Sequence, residues 1–302
     1  MAGMFNGLLF FPITPFRGDG EVDTGELAAH IRRGVQAGAG GVFVACGTGE
    51  FSALEPDEYA EVVRAAVQAI GGRVPVFAGT GGPVRTARRF TVLARDAGAD
   101  GVLLLPPYLT EASGDGLVAY VQAATLPDLP AIVYNRANAR FTEDSAVAVA
   151  RLPQVIGFKD GAGDLDLMSR IVRAVRDAAG DEPFHFFNGM PTAEVTQRAY
   201  RAIGVPLYSS AAFAFAPRIA LAYYEALEKD DQATLASLER AFYHPLARLR
   251  GKGAGYAVSL IKAGAELAGH SSGGVRPPLT EVSPPHREEL ARILAAGLAV
   301  LQ

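Results

Sequence analysis

Short, unbroken apolar runs recur along the chain, each closed by Gly, Pro or a polar residue. They span Leu8 to Ile13, Gly41 to Ala45, Val74 to Ala78, Gly101 to Leu105, Ala131 to Tyr134, Val155 to Lys159, Phe184 to Phe187 and Val205 to Tyr208. Continuous rather than alternating hydrophobicity marks strands buried on both faces, as in a parallel sheet covered by helices. The segments between the runs carry one apolar face at helical spacing: Leu27, Ile31 and Val35; then Tyr59, Val62, Val63 and Val67; further on Ile171, Val172 and Val175.

Eight such strand-helix units ending near residue 228 predict an α/β fold, the (β/α)8 TIM barrel, typically ~250 residues long. A doubly wound open sheet is the competing layout. The even spacing of the units and the lack of a GxGxxG turn after the first strand favour the barrel. Past residue 228 only helical patterns remain, over Asp231 to Arg248, Tyr256 to Ala268 and Pro285 to Leu298. The expected organisation is therefore a barrel over residues 1–228 and a C-terminal helical extension, residues 229–302, packed on it. The link SSGGVRPPLTEVSPP, residues 271–285, reads as a surface loop.

Composition narrows the function classes. The 302 residues carry 28 Lys plus Arg against 32 Asp plus Glu, a formal charge of -4 without long runs of one sign. Nucleic-acid and anionic-membrane binding need a basic surface, so neither is expected. A single cysteine, Cys46, implies no oxidising compartment. The amino-terminal stretch lacks a basic n-region and is interrupted by Pro12 and Pro15, and no run reaches the ~18 apolar residues of a membrane span, so a cytoplasmic location is expected. His30, His185, His244, His270 and His286 are scattered without metal-binding spacing, and no metal is expected. His30 reads as structural; His185 and Cys46 stay unassigned.

In a barrel, reactive groups belong at the carboxyl ends of the strands and in the loops beyond them. Lys159 closes the sixth apolar run, VIGFKDGAGD, in a chain with four lysines beside 24 arginines. An amine can deprotonate and form an imine where a guanidinium cannot. Alternation from Val155 and Gly157 points Lys159 into the lumen, with Ile156 and Phe158 facing the helices. Desolvation there raises the fraction of nucleophilic amine. The alternatives are a lysine that snorkels to the mouth or pairs with Asp160. Tyr134 shares the parity of Ile132 and lies one strand away, ~4.8 Å, within reach of a shared ligand; a solvated strand-end hydroxyl is the alternative.

The turn CGTGEF, residues 46–51, brings the amides of Gly47 and Gly49 and the Thr48 hydroxyl to a strand end, where they suit a carboxylate. Alternatively it starts a helix, with Thr48 or Ser52 as N-cap and Glu55 in the first turn. The glycines after the third strand, Gly79 to Gly82, lack a P-loop lysine and are expected only to turn the chain.

Taken in order, PITPF, GTGEF, AGTGG, PPY, VYNR and GFKDGAGD resemble the Schiff-base lyase family that includes dihydrodipicolinate synthase and N-acetylneuraminate lyase. Coverage is nearly full length, C-terminal helices included. CGTGEFSAL, VYNRAN, GFKDGAGD, FFNGMPTAE and YSSAAFAFAP stand closer to a dehydratase branch whose substrate is a six-carbon keto sugar diacid. The resemblance implies that Lys159 forms the imine, Tyr134 relays protons, and the Thr48-Gly49 turn holds the keto-acid carboxylate. It also implies no cofactor beyond the covalent lysine imine, a small-molecule keto sugar acid as ligand, and a homo-oligomer, dimer or tetramer. Gly47 stands where the synthase and sialate lyase carry a hydroxyl residue, and Leu109 follows Tyr108 where the synthase has a second Tyr. Both departures argue against those two activities. For the distal carboxylate, Arg136, Asn138, Asn188, Ser209 and Ser210 lie at or just past strand ends, while parity turns Asn135 outward. Another lysine-imine aldolase, or a barrel that binds a keto acid without turning it over, is the remaining alternative.

Overall fold

The computed structural model describes residues 4–107, 111–180 and 183–302. Eight parallel strands close into a barrel in sequence order, β1 pairing with both β2 and β8. They are β1 (Leu8–Phe10), β2 (Ala39–Val44), β3 (Val76–Thr80), β4 (Gly101–Leu104), β5 (Ala131–Asn135), β6 (Val155–Asp160), β7 (His185–Asn188) and β8 (Leu207–Ser210). The outer layer is α1 (Thr24–Ala37), α2 (Pro56–Ile70), α3 (Val84–Asp96), α4 (Gly114–Ala124), α5 (Glu143–Ala150), α6 (Leu165–Ala179), α7 (Glu194–Ala202) and α8 (Pro217–Glu228). Polar side chains start several of these helices: Asp23 accepts from the Glu26 amide and Asp164 from the Leu167 amide.

Prolines explain where strands begin and end. Pro12 follows β1 closely, while Pro75 and Pro206 immediately precede β3 and β8, because a residue without an N–H cannot join a ladder. The apolar runs at Val74 and Val205 therefore start before their strands do.

A β-bulge changes the parity expected at the start of β6. Ala131 pairs with Val155, but Ile132 pairs with Gly157, leaving Ile156 as the extra residue. Val155 consequently joins Phe158 in the cluster beneath the helices, and Ile156 packs against the lumen cluster, the reverse of the expected order for these two residues. From Gly157 onward the inward phase is as expected, and a Cβ on Gly157 would lie 2.8 Å from Phe187 Cε2.

The lumen is filled by aromatic rings. Phe11 stacks on Phe43 at 4.7 Å, Phe43 on Phe77 at 5.3 Å, and Phe5 closes the amino end against both Phe43 and Phe77. His185, unassigned from sequence, is part of this floor, edge-on to Phe5 at 5.2 Å, and burial lowers its pKa. His30 packs edge-on against Phe10 beneath α1, burial bringing it down to about 3. The floor forces ligands to enter from the carboxyl end.

The remaining chain forms α9 (Gln232–Leu238) and α10 (His244–Arg250), joined by a π-helical turn over Glu239–Tyr243, then α11 (Tyr256–Leu267) and α12 (Pro284–Ala299). Among the described residues no helix is long and apolar enough to cross a membrane. This extension is tied to the barrel by a buried ion pair: Lys262 Nζ of α11 lies 2.6 Å from Glu50 Oε1, each side chain 1% exposed. Glu50 also accepts from the Arg276 amide at 2.9 Å, and Lys262 lies 4.0 Å from the Phe16 ring centroid.

Glu50→Gln removes the counter-charge of the buried Lys262 ammonium and leaves it the Gly274 carbonyl as acceptor, and removing one partner of a buried pair costs about 3–5 kcal/mol. Urea unfolding at pH 7 is expected to show a loss of that size; a loss under about 1 kcal/mol, the value of an exposed pair, contradicts it.

Candidate active site

Strand register brings the two principal side chains together. Tyr134 on β5 and Lys159 on β6 are direct partners in the ladder, and both point into the barrel mouth. Lys159 Nζ lies 4.7 Å from the Tyr134 ring centroid and 4.1 Å from that of Phe11. Lys159 is 4% exposed. Burial brings the amine down to about 7, and the positive charge of Arg136 acts in the same direction. Near neutrality a substantial fraction of the amine is therefore unprotonated.

Asp160 takes no part in an ion pair with Lys159. The next residue along a strand faces the other side, and there Asp160 accepts from Asn135 Nδ2 at 2.7 Å, from the Tyr200 hydroxyl, and from the amides of Ala162 and Gly163, both at 3.2 Å. Those bonds fix the strand ends of β5 and β6 from outside the barrel. Asn135 is spent on them.

The Tyr134 hydroxyl donates to the Gly189 carbonyl at 2.7 Å and accepts from Arg136 Nη1 at 2.9 Å. Burial raises its pKa while Arg136 opposes the rise. Gly189, which sequence reasoning passed over, permits this packing: a Cβ there would lie 2.6 Å from Lys159 Cε and 2.8 Å from Tyr134 Cε2. A glycine after an apolar strand reads as a turn, and nothing around Gly189 in the sequence marks its contact role.

The β2 turn is bracketed by two non-glycine residues in the left-handed region, Ala45 at φ 48 and Glu50 at φ 53. Gly47 and Thr48 line the cavity. Gly49 does not; it is buried beneath them, its carbonyl accepting from Thr14 Oγ1 at 2.7 Å. The helix-start alternative for Thr48 does not arise, because α2 begins at Pro56 with Glu55 as its N-cap, in a capping box with Glu58. Gly79 and Thr80 belong to β3 itself, where Gly79 admits the Ala45 carbonyl, and do not form a turn.

The distal-carboxylate candidates divide. Arg136 and Ser209 line the cavity. Asn188 faces the helices, fully buried, its amide donating to Ala193 O at 3.1 Å and Gln197 Oε1 at 3.0 Å. Ser210 faces the same way, donating to Glu194 Oε1 at 2.5 Å. Asn138 donates to Pro107 O at 2.9 Å and does not line the cavity. Asn138, Asn188 and Ser210 thus shape loops. The expectation on Tyr108 and Leu109 lies outside the described residues.

The cavity measures ≈ 450 Å³ and is mostly apolar, within the range of small-molecule sites. Part of its wall comes from the C-terminal extension, including Leu246 and Arg250 of α10 and Tyr256 of α11, and part from Thr192 after β7. Sequence reasoning treated the extension as packing only, and no motif distinguishes Arg250 among 24 arginines. Cys46 lines the cavity with its thiol pushed up to about 12 by burial, and so stays protonated. Among the described residues no three His, Cys, Asp or Glu side chains are grouped to hold a metal ion.

Fold and site define a TIM barrel whose carboxyl-end cavity is built around a desolvated lysine amine. The chain belongs to the Dihydrodipicolinate synthetase family, whose profile matches residues 4–297. A relative from Streptomyces coelicolor, named "Probable 5-dehydro-4-deoxyglucarate dehydratase 1", is 52% identical over 298 residues, 98% of this chain and 94% of the relative. Among solved structures, dihydrodipicolinate synthase from Oceanobacillus iheyensis superposes with a TM-score of 0.89 at 28% identity, covering 98% of this chain and 97% of that one. YagE from E. coli K12, solved in complex with pyruvate, superposes with a TM-score of 0.85 at 26% identity, covering 97% of this chain and 98% of that one.

Proposed function

We propose that this chain is a 5-dehydro-4-deoxyglucarate dehydratase, a lyase that removes water and carbon dioxide from its substrate to leave 2,5-dioxopentanoate. The single observation that carries the chemistry is the placement of the Lys159 amine, buried, lowered to about 7 and beside Tyr134, in a cavity of ligand size. The names of the relatives support the substrate.

In this reading the Lys159 amine adds to the substrate ketone, and the carbinolamine loses water to give an iminium. Tyr134 passes the protons, its hydroxyl already held by one donor and one acceptor. The Gly47-Thr48 turn receives the carboxylate next to the ketone. The iminium draws electrons from the neighbouring methylene, which loses a proton; the resulting enamine expels the β-hydroxyl, which leaves as water. The product is an unsaturated iminium conjugated toward the far end of the molecule. Cleavage of the bond to the distal carboxylate then sends its electron pair through that conjugation to the nitrogen, releasing carbon dioxide. Protonation and hydrolysis free the amine. Overall the dianion takes up one proton and yields one product monoanion, one water and one carbon dioxide.

Turnover decides the substrate. The ratio kcat/KM for 5-dehydro-4-deoxyglucarate is expected to exceed those for sialate and for pyruvate with aspartate semialdehyde by at least roughly 10²-fold. Turnover of either alternative with none of the diacid contradicts the proposal. The reading carries with it a cytoplasmic location and a dimeric or tetrameric assembly, which fractionation and sedimentation velocity check.

A further inference from the structure

Besides the amine, the cavity holds two other cationic side chains, Arg136 after β5 and Arg250 at the end of α10. Each guanidinium has one side-chain partner, and in both cases it is a neutral hydroxyl: Tyr134 for Arg136, at 2.9 Å, and Thr192 for Arg250. Among the described residues neither forms an ion pair with a carboxylate, whereas nine other arginines do, Arg33, Arg170, Arg201 and Arg287 among them. Glu194, the acid whose charge acts on Arg250, accepts from Ser210, which faces the helices. Burial, and then the charge of Arg136, lowers the affinity of Arg250 for its proton.

Thr192 gives a second indication that Arg250 is placed deliberately. It is a non-glycine residue at φ 53, in the loop between β7 and α7, and is 9% exposed. Backbone strain of this kind persists where the surroundings over-determine it, commonly at ligand sites. Here it delivers a hydroxyl to the guanidinium of a helix contributed by the C-terminal extension.

Partly buried cations without a counter-charge are costly, and a planar guanidinium fork matches a carboxylate. We propose that Arg250, held by Thr192, forms with Arg136 a guanidinium pair that takes the distal carboxylate of the substrate, so that the extension selects dicarboxylate over monocarboxylate keto acids. This rests on the imine reading given above and names the half of the cavity that reading leaves open. With the carboxylate gripped at the end of the conjugated iminium, the bond that breaks in decarboxylation is also held in one orientation. Asn188, Ser210 and Asn138, which face elsewhere, are not needed for it.

Two six-carbon probes isolate the distal group: 2-oxoadipate and 2-oxohexanoate share the keto-acid head and differ only in the far carboxylate. Each is incubated with the full-length protein and cyanoborohydride, and the concentration giving half-maximal adduct is read by intact-protein mass spectrometry. Wild type is expected to be trapped by 2-oxoadipate at a roughly 10- to 100-fold lower concentration, the scale of hydrogen bonds to charged groups. Arg250→Gln removes most of that preference and Arg250→Lys keeps part of it. An equal response to the two six-carbon acids in wild type, or an undiminished preference in Arg250→Gln, overturns the pair and leaves the imine reading standing. Absence of any adduct in wild type, pyruvate included, overturns the imine reading and the pair with it.

Discussion

Lys159→Met lowers kcat by roughly 10⁴- to 10⁶-fold, the scale seen when a covalent nucleophile is removed from an otherwise complete site. The variant folds. Methionine has a similar reach, leaves no large void beside Phe11 and Tyr134, and removes an amine that has no carboxylate partner on β6. The pH dependence follows from the same burial. The amine titrates near 7 in the folded protein against an ordinary 10.5, so kcat/KM rises with pH through a midpoint of about 7 as the free amine appears. Stability moves the same way. Below about 7 the folded state bears the full cost of a buried ammonium; between 7 and 10.5 the unfolded chain binds a proton that the folded chain does not, and the cost is relieved. Lys159→Met is therefore most stabilising, relative to wild type, below pH 7, and its advantage shrinks as pH rises toward 10.5. Urea unfolding of both proteins at pH 6 and pH 9.5 checks the sign; a constant difference contradicts it.

Tyr134→Phe is expected to cost roughly 10²- to 10⁴-fold in kcat, the range for a positioned proton-transfer group. Its hydroxyl bridges the Gly189 carbonyl and Arg136 at 2.7 and 2.9 Å, so the variant also leaves a buried carbonyl without its donor and frees Arg136. Orphaning that carbonyl destabilises by about 1–3 kcal/mol. Single-turnover trapping separates the two effects: the rate of imine formation falls with kcat, while the final amount of adduct at saturation reaches that of wild type. A variant that forms imine at the wild-type rate shows that Tyr134 only supports the wall.

The barrel was legible because strands buried on both faces must be continuously apolar, and each run lies one helix away from the next. The candidate amine was legible for a related reason: Lys159 ends an apolar run in a chain that otherwise uses arginine. What stayed hidden has physical causes. The bulge at Ile156 sits within an unbroken apolar stretch, where one extra residue leaves no mark, so the parity of Val155 and Ile156 was inverted without affecting Lys159. Asn188 and Ser210 are polar residues at strand ends, as a ligand site requires, but the positions facing the helices there also need polar groups to hold loops. Strand-end polarity alone cannot distinguish the two sides. Arg250 reaches the cavity from a helix that follows the barrel, and only tertiary packing brings it there.

The most direct test is chemical capture with the substrate itself. The protein is incubated with 5-dehydro-4-deoxyglucarate and borohydride, digested, and mapped by mass spectrometry. A reduced adduct is predicted on the peptide bearing Lys159, with Lys229, Lys252 and Lys262 unmodified. Turnover of the diacid with no covalent mass on Lys159 contradicts the imine mechanism.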